Sequence, residues 1–256
     1  MKWSASTWSP SPKRSTETVS LAARAIAQAR LELRTLHAND VPIDAAMAYE
    51  VQELVRAQLR PAQEIVGFKL GYTSQVMRQA MGIDEPNHGA LFDSMVFAHP
   101  AIIDGLIQPK AEPEIAIRID GQGSITGYFA SLEVVDSVWS NYEFTWAHNT
   151  ADGSSAAYAV IGARIDARLE DISVTMTSST GHSCTAQLRD TCPDISGSLE
   201  WLAKHPHLPR NLRDGDVILT GGLTAPLDLE PDGCISARFE APGWSAEVTV
   251  ERRESV

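Results

Sequence analysis

Gln108-Pro109-Lys110-Ala111-Glu112-Pro113-Glu114-Ile115-Ala116-Ile117-Arg118-Ile119 decides how the rest of the chain is read. Residues two apart in extended backbone point to the same face, so a strand here presents the carboxylates of Glu112 and Glu114 side by side. Ile115, Ile117 and Ile119 then point the other way, into a core. Two carboxylates held close together repel unless a cation or a shared proton lies between them. A third acid, Glu133, sits in the apolar stretch Ala130-Ser131-Leu132-Glu133-Val134-Val135-Asp136. Three strand carboxylates with no histidine nearby in sequence describe a site for a hard divalent cation, Mg²⁺ or Mn²⁺. The competing reading of Glu112 and Glu114 is an exposed strand face with two solvated glutamates, since charges ordinarily sit in water.

Upstream, Val66-Gly67-Phe68-Lys69-Leu70-Gly71-Tyr72-Thr73-Ser74 sets a lysine in an apolar strand between glycines. Such a lysine is costly to bury unless it meets anions. Lys69 is therefore expected to face the same carboxylates, either beside a metal-bound substrate or in a metal-free salt bridge. Before it, Ala22, Ile26, Ala29, Leu33 and Leu36 repeat at helical spacing and predict an amphipathic helix from about Thr18 to His37. A second helix runs from an N-cap at Asp44 and stops before Pro61. Beyond Glu64, short strands are expected over residues 65–70, 101–103, 114–119, 128–135, 172–178, 183–188, 216–220, 234–239 and 246–250, with turns at residues 120–123 and at Gly181. Short helices are read from Ser74 to near Gly82, over residues 154–165 and over residues 196–204. Helices first and then a mostly β body predict an α+β fold. The expected division is a mobile segment over residues 1–15, a helical lobe over 16–63 and a β-rich catalytic domain over 64–256. Trp3 and Trp8 in the first segment could dock on a neighbour.

Composition narrows the partners. A net charge of −12 argues against nucleic acid, whose phosphates need a basic surface, and disfavours anionic membranes. An anionic substrate would need local positive charge, which a metal and Lys69 would supply. No apolar run approaches membrane-spanning length, and the first residues lack the hydrophobic region of a signal peptide. Cys184, Cys192 and Cys234 are an odd number without C-x-x-C spacing, as expected of reduced thiols in a cytoplasm. Gly121-Gln122-Gly123 lies between strands and does not open a helix, so it is not a dinucleotide-binding loop. No G-x-S-x-G elbow supports serine-hydrolase chemistry. His205-Pro206-His207 reads as a solvated loop, and His88 and His148 as hydrogen-bonding pocket or surface histidines.

The K-x-G-x-T-S piece at Lys69 to Ser74, the Q-P-K-x-E-x-E piece at Gln108 to Glu114, the stretch Met81-Gly82-Ile83-Asp84-Glu85-Pro86-Asn87-His88-Gly89 and the stretch Thr150-Ala151-Asp152-Gly153-Ser154-Ser155 occur in a telling order. From about Val66 to Val250 the chain resembles the 2-keto-4-pentenoate hydratase and 4-oxalocrotonate decarboxylase family, within the fumarylacetoacetase-like superfamily. The resemblance implies a distorted β-barrel or roll behind the helical lobe, and a homo-oligomer able to associate with a pathway partner enzyme. It implies Glu112, Glu114 and Glu133 as ligands of Mg²⁺ or Mn²⁺, Lys69 and Asn87 as catalytic residues, and Ser155, Thr220 and Gly221 as substrate-binding residues. The reaction it implies is lyase chemistry on an unsaturated 2-oxo acid through a metal-stabilised dienolate, either decarboxylation or hydration. A non-catalytic partner subunit is the alternative of another class. Pro113 between the paired acids and the run Leu219-Thr220-Gly221-Gly222-Leu223-Thr224 resemble the decarboxylase branch. Asn87 stands where the hydratases carry an aspartate suited to handling water. Two features depart from the family pattern. Gly153 replaces an expected asparagine, and the stretch from Glu114 to Glu133 is short enough to remove a lid or move Glu133.

Overall fold

The computed structural model describes residues 16–254, so the expectations for residues 1–15, including docking by Trp3 and Trp8, lie outside the described residues. Helix α1 (Thr16–Leu31) buries Val19, Ala22, Ala23, Ile26 and Ala29. It ends earlier than the apolar spacing predicts. Leu33 takes a left-handed φ of +49°, and Leu36 pairs as an isolated bridge with Trp139. The backbone groups of Leu36 find their partners there, on Val138 and Ser140, rather than in a helix. Helix α2 (Ala48–Leu59) also starts later than expected, because Asp44 accepts from the backbone N–H of Ala46 and Met47 and caps the turn leading into it.

The body follows in the order β1 (Ile65–Gly71), α3 (Gln75–Met81), β2 (Asn87–Phe92), β3 (Val96–Ala98), β4 (Ala101–Ile103), β5 (Lys110–Ile119), β6 (Ile125–Val135), α4 (Trp146–Ala151) and β7 (Ala156–Arg164). It continues with β8 (Ser173–Ser178), β9 (Ser183–Gln187), α5 (Leu188–Thr191), α6 (Ile195–Lys204), β10 (Val217–Leu219), β11 (Leu227–Asp228), β12 (Cys234–Ala241) and β13 (Trp244–Arg252). The larger sheet runs β2-β1-β10-β5-β6-β7-β3 with β11 added to β5, and the smaller runs β4-β13-β12-β8-β9. This is an α+β architecture whose larger sheet curls into a half-barrel.

One apolar core fills the space between the sheets. Phe68, Ile115, Ile117 and Leu132 from the larger sheet meet Ile172, Met176, Ile235 and Phe239 of the smaller sheet and its entry. The isoleucines of β5 thus point where their period of two requires. The opposite face of the larger sheet carries a smaller apolar cluster that includes Leu91, Ala116, Val217 and Leu219. Lys69 and the three glutamates lie on that second face. Helices α1 and α2 pack against Trp139 and the α4 residues Ala147 and Ala151.

Residues 154–165, read from sequence as a helix, are instead mostly the strand β7. Its alanines look helical, but Gly162 does not, and neighbours crowd it. A Cβ at Gly162 would lie 2.5 Å from Val248 Cγ2 on β13 and 3.1 Å from the Ala130 carbonyl oxygen on β6. Ladders to β6 on one side and β3 on the other satisfy its backbone.

Candidate metal centre and active site

Strands β5 and β6 form an antiparallel hairpin in which Glu112 lies directly opposite Glu133, and Glu114 opposite Ser131. Opposed residues share a face, so this register delivers the third carboxylate to the other two. The hairpin turn is tight. Asp120 Oδ1 accepts from the N–H groups of Gln122 and Ser124, and Gly123 takes a φ of +82°. The short stretch between Glu114 and Glu133 is closed by this turn and leaves Glu133 in register. One oxygen from each of Glu112, Glu114 and Glu133 lies within 4.8 Å of the others. Glu114 and Glu133 are buried and Glu112 is half-buried.

Lys69 arrives from β1, separated from β5 by β10, in the row Lys69, Leu219, Ala116. Its side chain is buried, with Nζ 3.1 Å from Glu133 Oε1. The ammonium donates to the Ser154 carbonyl oxygen at 2.9 Å and to Ser154 Oγ at 3.3 Å. Burial opposes the Lys69 cation, but the carboxylates of Glu133, Glu112 and Glu114 outweigh it and raise its pKa. On the acid side, burial and then the Glu133 carboxylate push Glu112 up to about 7. The same two causes, with Glu112 added, hold Glu114 well above the usual carboxylate range.

The oxygens of this cluster fit a hard divalent ion. Glu114 Oε1 and both oxygens of Glu133 are buried and accept no hydrogen bond among the described residues. The Lys69 contact to Glu133 is an ion pair at 3.1 Å. Buried carboxylate oxygens without donors are costly, and an oxygen-seeking cation satisfies several at once. When all three carboxylates ionise, one ammonium leaves a surplus of negative charge that a dication would cover.

The run after β10 closes the cluster. Gly221 donates its N–H to Glu114 Oε2 at 2.8 Å, and its φ of +114° favours glycine. A Cβ at Gly222 would stand 2.1 Å from Glu112 Oε2. The Thr220 hydroxyl donates to the Ile115 carbonyl at 2.8 Å, which ties β10 to β5. Thr220 and Gly221 therefore lie beside the carboxylates, with their donors engaged by the protein.

Asn87 and Ser155 belong to two polar chains at the same place. Asn87 is buried, donates from Nδ2 to Thr150 Oγ1 at 3.0 Å, and accepts from Ser154 Oγ at 2.8 Å. Ser155 Oγ donates to Asn149 Oδ1 at 2.8 Å, and Asn149 Nδ2 donates to the Tyr72 hydroxyl oxygen at 3.0 Å. Sequence reasoning missed Ser154, Thr150, Asn149 and Tyr72. The one available signal was Gly71, where a Cβ would fall 2.3 Å from Asn87 Oδ1 and 2.7 Å from Ser154 Oγ. Tyr72, Ser154 and Ser155 all hold left-handed φ values, of +56°, +58° and +56°. Strain of this kind gathers at functional sites.

The histidines lie elsewhere. His205-Pro206-His207 is a loop with Pro206 and His207 exposed, but its rings are engaged: His205 Nδ1 shares a hydrogen bond of 3.1 Å with His88 Nε2, and the His207 ring stacks on Tyr49 at 5.2 Å. The aromatic surface of Tyr49 and Trp201 gives these rings something to cover. His148 is buried with Nδ1 against Thr145 Oγ1 and Nε2 against the Val41 carbonyl. None of the described helices is long and apolar enough to cross a membrane.

No protein-family model matches the chain. It is 31% identical over 222 residues to 2-keto-4-pentenoate hydratase of Paraburkholderia phymatum, covering 78% of this chain and 84% of the relative. It is 29% identical over 255 residues to 4-oxalocrotonate decarboxylase of Pseudomonas putida, covering 89% and 95%. The structure of 4-oxalocrotonate decarboxylase from Pseudomonas putida G7 complexed with magnesium and adipate superposes with a TM-score of 0.80 at 24% identity, over 94% of this chain and all of that one. The fold and these relatives define a class of lyase. Within it, the chain belongs to the family of 2-keto-4-pentenoate hydratases and 4-oxalocrotonate decarboxylases.

Proposed function

We propose that the protein is a Mg²⁺-dependent decarboxylase of 2-oxo-3-enedioates, with Glu112, Glu114 and Glu133 as the metal ligands. The observation that carries decarboxylation over hydration is the engagement of Asn87. Both ends of its amide are bonded, to Thr150 and to Ser154, and an amide takes up no proton at neutral pH. Hydration requires a group that positions and activates water, whereas loss of CO₂ does not. When bound, the ion supplies positive charge to the carboxylate and keto oxygens of a 2-oxo acid, the electron sink that both reactions need. Gly221 orients Glu114 through its N–H. Lys69, kept protonated by the glutamates and hinged on Ser154, provides a cation for an anionic substrate and a proton for its keto oxygen. Ser155, with Asn149 and Tyr72 behind it, lines the remaining length of the substrate with Thr220.

The hydratase reading rests on identities of 31% and 32% to two 2-keto-4-pentenoate hydratases. The test is product identity for the Mg²⁺-loaded protein, given a 2-oxo-3-enedioate and, separately, a 2-hydroxy-2,4-dienoate. CO₂ from the diacid outpacing hydration is expected. Rapid hydration of the dienoate with no CO₂ from the diacid reverses the assignment. Retention of three glutamates and a lysine in one pocket argues against a non-catalytic partner subunit. The same reading makes the protein a cytoplasmic homo-oligomer, in keeping with Leu21 and Leu31 exposed on α1 at 53% and 75%. Sedimentation as a clean monomer would contradict the assembly.

A further inference from the structure

A cavity of about 300 Å³ lies where α2 approaches β2 and β7, and neither Lys69 nor any of the three glutamates lines it. Val55, Leu59, Met95 and Leu106 give it apolar walls, and Arg30, Arg56 and Arg60 stand around it. Three guanidinium groups on one cavity are unexpected in a chain of net charge −12. Two of them are neutralised, Arg30 by Asp136 and Asp152, and Arg56 by Glu53. Arg60 has no carboxylate within ion-pair distance among the described residues. Its Nη1 donates to Gln63 Oε1 at 2.9 Å and to Ser94 Oγ at 3.1 Å, while Nε and Nη2 make no hydrogen bond among those residues. Nε and Nη2 form the edge of parallel donors that a carboxylate accepts in bidentate fashion. The guanidinium is held over the Phe92 ring, 5.3 Å from its centroid, so this edge is presented from a fixed plane. Burial, and secondarily the like charge of Arg30, work against the Arg60 cation, which an anion would relieve. Tyr49 also lines the cavity, with its hydroxyl buried and unpartnered among the described residues.

We infer that this cavity is a second ligand site that takes a small organic acid, its carboxylate on Arg60 and its unsaturated or aromatic body against the apolar wall. A cavity of this size, with an apolar wall and charged side chains set around it, suits a small molecule that carries both an apolar body and a charged group. An occupant would also touch Asp152 and Gly153, and the next residue, Ser154, holds Lys69. The inference does not depend on which reaction the metal centre performs.

Benzoate is the probe, titrated calorimetrically into the full-length, Mg²⁺-loaded protein and into the variants Arg60→Gln and Glu114→Gln. Saturable binding is expected in the parent, weakened about tenfold or more in Arg60→Gln and kept in Glu114→Gln. Arg60→Gln should retain the parent's melting temperature and Mg²⁺ affinity, which separates a lost site from a lost fold. Benzoate binding lost in Glu114→Gln and kept in Arg60→Gln would put the acid on the metal and overturn the inference. Absence of saturable binding to the parent would also overturn it. So would displacement of benzoate by an equal concentration of inorganic phosphate, which would reveal a bare anion site.

Discussion

Lys69 is the side chain whose removal should separate chemistry from metal binding. Its ammonium stands 3.1 Å from Glu133 Oε1 and competes with any cation for that carboxylate. Lys69→Met should therefore abolish turnover while leaving Mg²⁺ affinity equal or tighter. Weaker Mg²⁺ binding in a calorimetric titration of that variant would show that the lysine builds the metal site instead. The glutamates make a second prediction, in pH. In the metal-free protein Glu112 has a folded pKa near 7, above its ordinary 4.5. The folded state then holds the proton more tightly, so this group's contribution to stability is present at low pH and lost as pH rises through 7. A cation has to displace that proton. The gain in melting temperature from Mg²⁺ should be small at about pH 6 and larger at about pH 8, and equal gains would mean that these carboxylates do not bind it. The pairing of Glu112 with Glu114 was legible because a strand's period is fixed. Ser154 was not, because nothing in Gly153-Ser154-Ser155 announces that two serines adopt left-handed backbone.

Elements brought together what single residues could not. That β5 and β6 were strands could be read from their alternating apolar residues, but which residue faces which depends on the turn. Asp120 and Gly123 set that turn, and Glu133 falls opposite Glu112 as a result. Strand β7 shows the opposite case. Its alanines satisfy a helical reading equally well, and the presence of β13 and Ala130 explains only the glycine at 162. The run after β10 offers the sharpest test at this scale. At Gly222 a Cβ would meet the far end of a flexible side chain, Glu112 Oε2 at 2.1 Å, and no backbone atom closer. Gly222→Ala should therefore fold normally but push Glu112 off the cluster, lowering metal affinity about 10–100-fold, the range seen when ligand orientation is lost. Unchanged Mg²⁺ affinity in a well-folded Gly222→Ala protein would remove Glu112 from the ligand set.

Across the whole molecule, the order of helices before strands was enough to anticipate an α+β fold, while the fastening between its parts was invisible in sequence. That fastening is Arg30 of α1. It donates from Nη1 to Asp136 Oδ2 at 2.9 Å, and from Nε and Nη2 to the two oxygens of Asp152 at 3.0 and 2.7 Å. The partners lie 106 and 122 residues away along the chain, beyond the reach of any local pattern. Asp152 also accepts from the Val138 N–H and precedes Ser154, the hinge of Lys69, by two positions. The helical lobe thus bears on the metal pocket without contributing a side chain to it. Arg30→Met should leave two buried carboxylates without their cation, at a cost of about 3–5 kcal/mol. The deficit should depend on pH in a defined direction. Burial already pushes Asp152 up to about 6, with Arg30 opposing the shift. Without Arg30 the pKa rises further, and the folded state can escape the penalty by taking up a proton. Stability from that proton is present at low pH and lost as pH rises through the folded pKa, so the variant's deficit should narrow toward about pH 5 and widen toward about pH 8. Denaturant unfolding of both proteins at the two pH values measures it. A deficit independent of pH would mean that Asp152 stays charged or relaxes into solvent, and that α1 is held to the body by its apolar face alone.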